Sequence, residues 1–213
     1  LKILVISDIH AREESLEFIE RVCAREKPAL VAFLGDYTNY GKPIELVPKI
    51  LDAAEKHAPV IALFGNLDSA EVKNILEKKK LLIHGRKKMI GGVEFVGFGG
   101  TNPTPFNTPI EFSEEEIKEG LAHLVSNNTF LLTHFPPHET NADAVKADLH
   151  VGSTALRKII EEKQPLACAC GHIHETAGVE WIGKTKIIKV PSFKDRFEAM
   201  TVEIPSLEVK VVE

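Results

Sequence analysis

The sequence predicts an α/β fold built on a parallel sheet. Two observations carry that expectation. Short runs rich in Val, Ile and Leu, without polar alternation, recur through the first third of the chain, as strands buried on both faces do. Amphipathic stretches separate them, which gives a β-α-β-α-β order and right-handed crossovers. With 213 residues and 44% hydrophobic content, the chain fits one domain over residues 1–213.

Residues 2–7 read as the first buried strand. Glu13 to Glu26 follows as a helix, with Leu16, Ile19 and Cys23 on one face at three- and four-residue spacing. Ala29–Leu34 is the second strand. Pro43 to His57 is the second helix, with Pro43 near its first turn, and Pro59–Phe64 is the third strand. A short helix over Ser69–Lys79 precedes strands near 81–90 and 93–98, joined as a hairpin through Gly91-Gly92. Gly99 to Pro105 carries glycines and prolines that exclude regular structure, so it reads as a surface loop. Ser113 to Val125 is a helix opening on a capping box, with Glu116 three residues after Ser113. Thr129–Thr133 is a strand, His138–Gly152 a long loop, Ser153–Lys163 a helix and Leu166–Cys170 a strand. From Ala177 the pattern is β, with strands expected at 177–182, 185–190, 197–204 and 207–212.

Bulk composition removes several function classes. The 26 basic and 31 acidic residues give a net charge of −5, which leaves nucleic acid only as a substrate, not as a general partner. The basic clusters Lys78-Lys79-Lys80 and Arg86-Lys87-Lys88 lack interleaved aromatics and read as solvated faces. Cys23, Cys168 and Cys170 are too few and too oddly spaced for a disulfide scaffold; they read as buried thiols of a cytoplasmic protein. No apolar run approaches the roughly 20 residues of a membrane span. Leu1–Ile6 lacks a charged leader and cleavage site and reads as core strand rather than signal peptide.

Five polar clusters follow directly on expected strands: Asp8-Ile9-His10, Gly35-Asp36, Gly65-Asn66-Leu67-Asp68, His134, and Gly171-His172-Ile173-His174. In open α/β sheets ligands bind beyond the carboxyl ends of the strands, so all five should converge on one edge. Asp supplies hard oxygen and can bridge two cations, while His supplies neutral nitrogen. Such a mixed shell without thiolate suits Mn, Fe, Zn, Co or Ni better than Mg or Ca. The i, i+2 spacing of Asp8/His10 and of His172/His174 points both members of each pair one way on an extended segment. Glycines before Asp36, Asn66 and His172 permit sharp strand-to-loop turns. Asp68 reads as a helix cap or a brace for a ligand.

These motifs, D-x-H, G-D, G-N, a lone His and G-H-x-H, in this order from Asp8 to His174, resemble the calcineurin-like metallophosphoesterase superfamily. The text around them is similar to its small single-domain bacterial and archaeal phosphodiesterases. The resemblance implies a four-layered α/β/β/α sandwich with metals at the sheet edge. It implies that Asp8, His10 and His174 hold one divalent transition metal and Asn66, His134 and His172 a second, with Asp36 bridging. Mn leads the expected metals, with Fe, Zn, Ni or Co as alternatives. A hydroxide shared by two such metals would attack a phosphate ester, most readily a phosphodiester; the alternatives are a phosphomonoesterase or a protein-interaction scaffold with a weakly active site. A homodimer is left open.

One position departs from the family pattern. Where G-N-H-D/E places a His that protonates the leaving group, this chain has Leu67, and the Asp that pairs with that His in many relatives is Asn39 here. Without a general acid, worth about 10²–10⁴ in rate, esters with poor leaving groups suffer most. His138 and His150, in the loop after His134, are the candidate substitutes. Asp36, Asn66 and His138 thus form the candidate catalytic set.

Overall fold

A computed structural model of the protein describes residues 1–146 and 149–213. In chain order its elements are β1 (Lys2–Ile6), α1 (Glu14–Glu26), β2 (Leu30–Phe33), α2 (Leu46–Glu55), β3 (Val60–Ala62), α3 (Ala70–Lys78), β4 (Arg86–Ile90), β5 (Val93–Phe98), α4 (Glu114–Leu121), β6 (Thr129–Thr133), a 3-10 turn at Asn141–Asp143, β7 (Ala144–Lys146), β8 (Leu149–His150), α5 (Thr154–Lys163), β9 (Ala167–Cys170), β10 (Gly178–Ile182), β11 (Thr185–Lys189), α6 (Phe193–Arg196), β12 (Ala199–Glu203) and β13 (Glu208–Val212).

Two sheets lie face to face. The first has the order β13-β12-β1-β2-β3, and the second β10-β11-β9-β6-β5-β4. Strands β1, β2 and β3 run parallel, as do β5, β6, β9 and β11; the outer strands β13, β12, β10 and β4 pair antiparallel. Three apolar layers account for the stacking. Phe18, Ile19, Val22, Ile50, Leu51, Val72 and Leu76 of α1–α3 cover the outer face of the first sheet. Ile3, Val5, Leu30, Ala32 and Ile61 of the first sheet meet Phe95, Phe130, Leu132, Ala169 and Ile188 of the second between the sheets. Ile117, Leu121, Leu156, Ile159 and Ile160 of α4 and α5 cover the far face, together with Cys168 and Cys170. This is the α/β/β/α sandwich that the resemblance implied. Alternate residues of one strand serve opposite layers: in β1, Ile3 and Val5 face the second sheet while Leu4 and Ile6 face the helices. All three cysteines are buried and free.

Sequence expectations hold closely where a cap or a long apolar run sets the boundary. Ser113 accepts from the Glu116 amide while the Glu116 carboxylate accepts from the Ser113 amide, closing the expected capping box of α4. They slip where tertiary contacts decide. Of the strand expected over 81–90, only Arg86–Ile90 pairs regularly. The preceding residues cross between the sheets instead, with Leu82 bridging Ala62 of β3 and His84 bridging Gly97 of β5. Helix α2 starts at Leu46, not Pro43, because residues 39–42 form a tight turn whose Gly41 amide is bound to the Leu67 carbonyl. The loop over 138–152 contains the 3-10 turn and the β7–β8 pair, gathered around the buried Asp143 carboxylate, which accepts from the Thr140 and Gly152 amides. Ala147 and Asp148 of that loop lie outside the described residues. Helix α6 has four residues, too few to leave a periodic signature in sequence.

Among the described residues, no helix is long and apolar enough to cross a membrane. The inter-sheet layer gives a direct test of the architecture. Phe130 is fully buried there, its ring centroid 5.6 Å from that of Phe95. Phe130→Ala is expected to lower unfolding stability by about 3–5 kcal/mol in urea titration; a loss below about 1 kcal/mol would contradict this placement.

Candidate metal centre

The carboxyl ends of β1, β2, β3, β6 and β9 carry the five polar clusters, and the stacking of the two sheets brings them to one edge. The backbone there is bent rather than extended. Asp8 (φ 57°), His10 (φ 47°), Asp36 (φ 53°) and His172 (φ 71°) all occupy the left-handed region. Such conformations cost of order 1–3 kcal/mol each and persist where surrounding structure over-determines them. Packing also fixes two glycines. Gly35 (φ 111°) lies so close to the Gly65 backbone that a Cβ would overlap it, and a Cβ on Gly65 would collide with the Asp36 carboxylate. The glycines expected to allow sharp turns therefore do more: they let β2 and β3 end in contact, which sets Asp36 beside Asn66.

Asp8, His10 and His174 present ligand atoms within 4.8 Å of one another, and so do Asp8, Asp36 and His134. Asp8 is common to both groups. Asn66 joins through its Oδ1, 2.9 Å from His134 Nε2. The His172 ring lies beside that of His134, centroids 5.1 Å apart and tilted by 57°, and its backbone amide donates to the Asp8 carboxylate. His10, Asp36, Asn66, His172 and His174 line a cavity of about 360 Å³ that also includes Asn39, Tyr40, Leu67, Phe106, Thr108 and Lys194. His138 does not line it. Its Nδ1 lies 3.5 Å from Asp143 Oδ2, and His150 Nδ1 lies 2.7 Å from Asp143 Oδ1, so the structure places both candidate substitutes around Asp143 rather than over the ligand set.

The imidazole hydrogen bonds decide which nitrogens carry protons. Asn39 Nδ2 donates to the His10 carbonyl, so its Oδ1 accepts from His10 Nδ1 at 2.9 Å. His174 Nδ1 lies 2.7 Å from the Asp195 carboxylate, which only accepts. With both Nδ1 atoms engaged in this way, the Nε2 atoms of the two rings face each other at 3.2 Å, with Asp8 Oδ1 3.6 Å from His174 Nε2 and Asp36 Oδ2 3.6 Å from His10 Nε2. His134 repeats the pattern. Its Nδ1 donates to the Leu34 carbonyl, which leaves Nε2 facing Asn66 Oδ1 and, at 3.5 Å, Asp36 Oδ2. Acceptors that face acceptors in a buried site are costly unless a proton or a metal cation lies between them. A divalent metal fits that requirement and this mixed N/O donor set.

Protonation states agree. Burial works against charge on His134, but Asp36 and Asp8 raise its pKa to about 9, so a proton holds the place a metal would take. Burial and the neighbouring His134 push His172 down to about 3. Burial opposes ionisation of Asp36, yet His134 and His10 hold its pKa below the usual carboxylate value. Burial together with Asp36 raises Asp68 to about 7, while its acceptance from Gly65 and Thr38 pulls the other way. Asp68 also accepts from the Asp36 amide, at 2.9 Å, and so braces the turn that carries Asp36, one of its two expected roles.

Sequence reading missed two supports of the site. Asp195, on α6, orients His174; α6 docks on the end of β1 through the Phe193 and Lys194 amides, which donate to the Ser7 and Asp8 carbonyls. No motif signals it, because the carboxylate lies 21 positions from the His and its helix is a single turn. Lys189 is buried, donates to the Val190 carbonyl at 2.9 Å, and its charge helps lower the pKa of Asp8. It reads in sequence as an ordinary strand lysine.

Over residues 1–176 the chain matches the model of the calcineurin-like phosphoesterase family. The chain belongs to that family. It is 39% identical to an uncharacterized protein of Methanocaldococcus jannaschii over 208 residues, covering 92% of this chain and 90% of that one. In fold it is similar to an archaeal phosphodiesterase (TM-score 0.62, 13% identity, 100% of this chain and 99% of the other) and to a dimetal phosphatase of Danio rerio (TM-score 0.67, 12% identity, 100% and 98%). This calcineurin-like phosphoesterase is accordingly a hydrolase of phosphate esters that uses divalent metal ions.

A metal held by His134 would have to displace its proton. Below pH of about 9, affinity should rise with pH, by roughly tenfold per unit for one proton. Calorimetric Mn²⁺ titration at pH 7.5, in two buffers of different ionisation enthalpy, is expected to reveal release of at least about one proton per protein. Binding without proton release would contradict the assignment of His134 as a ligand.

Proposed function

We propose that this calcineurin-like phosphoesterase holds two divalent transition-metal ions and hydrolyses phosphodiesters in preference to monoesters. The observation that carries the two-metal reading is the convergence of lone pairs described above. His10 and His174 with Asp8 form one acceptor cluster, His134 and Asn66 with Asp36 form another, and His172 faces the same cavity. Asp36 approaches both clusters, 3.6 Å from His10 Nε2 and 3.5 Å from His134 Nε2, as a bridging carboxylate must. Mn²⁺ is the first choice, with Fe, Zn, Ni and Co compatible with the same donors. When bound, such ions supply a nucleophilic water at neutral pH and neutralise the charge that develops on phosphoryl oxygens.

The residues of the chain perform the remaining work. Asn39, Asp195 and the Leu34 carbonyl fix the tautomers of His10, His174 and His134, so that each ring presents a lone pair inward. Asp68 holds the backbone of Asp36 and Gly65. Lys194 lines the cavity and is the lysine there that can meet phosphate oxygens. Leu67 lines the same wall and offers neither proton nor charge. Its apolar surface suits the second organic group of a diester, and its inability to donate a proton favours leaving groups that depart unassisted.

With Mn²⁺, turnover of bis-p-nitrophenyl phosphate is expected to exceed that of p-nitrophenyl phosphate, and Asp36→Asn should lower both by at least about 10²–10³-fold, the scale of losing one charge-stabilising group. Undiminished activity in the Asp36→Asn protein would refute the bridging role, and absence of turnover with Mn, Ni, Co and Zn alike would remove the proposal. Leu67→His tests the missing acid. It should favour alkyl esters over aryl esters by up to about 10² relative to the unaltered protein; an unchanged ratio would mean that another group already protonates the leaving oxygen.

A further inference from the structure

Two of the most exposed large apolar side chains of the described residues stand at the mouth of the metal cavity. Tyr40 is 65% exposed and Phe106 is 77% exposed, and both line that cavity together with Leu67. Neither ring contributes to the core, yet each sits on a braced turn. Tyr40 (φ 51°) occupies the tip of the Asn39–Lys42 turn, closed by hydrogen bonds in both directions between Asn39 and Lys42 and tied to the Leu67 carbonyl through the Gly41 amide. The first residue of that turn, Asn39, is the one that orients His10. Phe106 stands in the loop between Thr104 and Thr108, whose two amides and two hydroxyls all donate to the Glu111 carboxylate at 2.6–3.1 Å. Burial opposes charge on Glu111, but these four bonds hold its pKa down at about 2, so the brace persists at neutral pH. The Phe106 amide donates to Thr104 Oγ1, and Ile110 ties the loop to the Asn66 carbonyl.

Rings held out of the core on ordered loops leave apolar surface in water unless a ligand covers it. We infer that Tyr40 and Phe106, with Leu67 of the same cavity wall, form a subsite for a flat aromatic group esterified to the phosphate. The substrate class is thereby narrowed to phosphate esters that carry an aryl or nucleobase ring. This rests on the phosphoesterase reading of the metal centre and adds to it a choice of organic group. Aromatic faces favour a flat aromatic partner through offset stacking, and every nucleobase offers such a face. A volume of about 360 Å³ is at the small end of ligand pockets, which suits a ring on a phosphate better than an extended acyl chain. Among the described residues the Lys194 ammonium makes no ion pair, so it is free to meet the phosphate while the rings take the organic group.

The test uses the full chain loaded with Mn²⁺ and measures binding by calorimetry, without turnover. Phenylphosphonate, methylphosphonate and n-hexylphosphonate share one head group. Phenylphosphonate is expected to bind about tenfold tighter than methylphosphonate and severalfold tighter than n-hexylphosphonate, a difference of the size stacking provides. In Phe106→Leu or Tyr40→Leu the phenyl-to-methyl ratio should fall to within about threefold, and Phe106→Trp should retain it. Both positions are too exposed for these changes to threaten the fold. Equal affinity for phenyl and methyl, or hexyl binding as tightly as phenyl, overturns the aromatic subsite and leaves the metal centre standing. Failure of all three phosphonates to bind the metal-loaded protein overturns the reading of the centre itself, and the subsite with it.

Discussion

At the shared edge of the two sheets, imidazole Nε2 atoms and carboxylate oxygens face one another at 3–4 Å. In water such groups would be solvated and harmless. Here Asp8, Asp36 and His134 are buried, and uncompensated acceptors in a medium of low polarity are expensive. A cation resolves the conflict. Without a metal, a proton on His134 does so in part, which is why its pKa sits near 9. Much of the local geometry keeps these acceptors in place: four residues of the site in left-handed backbone, Gly35 and Gly65 in van der Waals contact with what lies across from them, and Asp68 pinning three amides of two loops.

The sandwich is what makes that convergence available. A parallel sheet delivers strand ends to one edge, and each sheet alone would assemble only part of the set. Asp8, Asp36 and Asn66 come from the first sheet, and His134, His172 and His174 from the second. The apolar layer between them, with Ile3, Val5 and Ile61 against Phe130, Leu132 and Ile188, fixes the separation and angle of the two halves. The backbone stitches the halves together at the site as well: the His172 amide binds the Asp8 carboxylate, and His134 Nδ1 binds the Leu34 carbonyl. Core packing and the geometry of the site are therefore coupled, since a shift of one sheet against the other moves these side chains relative to one another.

How much of this the sequence reveals depends on the range of the interaction. Buried strands, the capping box at Ser113 and the polar clusters after strand ends are local patterns, and they identify the layered fold and the set of candidate ligands. The crossing of residues 81–85 between sheets is invisible because Leu81-Leu82-Ile83 reads equally well as strand. Asp195 and Lys189 are invisible for a different reason. Their roles depend on where β11 and α6 dock, and a lysine in a strand or an aspartate in a four-residue helix carries no signature of that. His138 illustrates the reverse case. Proximity in sequence to His134 suggested a place over the metals, whereas the Asp143 carboxylate and the β7–β8 pair hold it in a separate cluster.

Leu67 and Asn39 change together for a reason that the geometry makes explicit. If position 67 carried a proton-donating His, the residue at position 39 would be needed to orient it. With Leu at 67 that demand disappears, and position 39 is free to serve another ring. Asn39 takes His10, accepting from Nδ1 and donating to its carbonyl; an aspartate could make the first bond but not the second, because it has no amide to donate. The same turn then carries Tyr40 to the cavity mouth, and Leu67 extends the apolar wall below it. On the proposed reading, exchange of an acid–base pair for an amide and a leucine would convert one side of the site from proton transfer to apolar contact. On that reading, what the leaving group loses in assistance from a general acid the organic part of the ester would regain as surface to pack against, shifting discrimination from leaving-group basicity toward the shape of the ester.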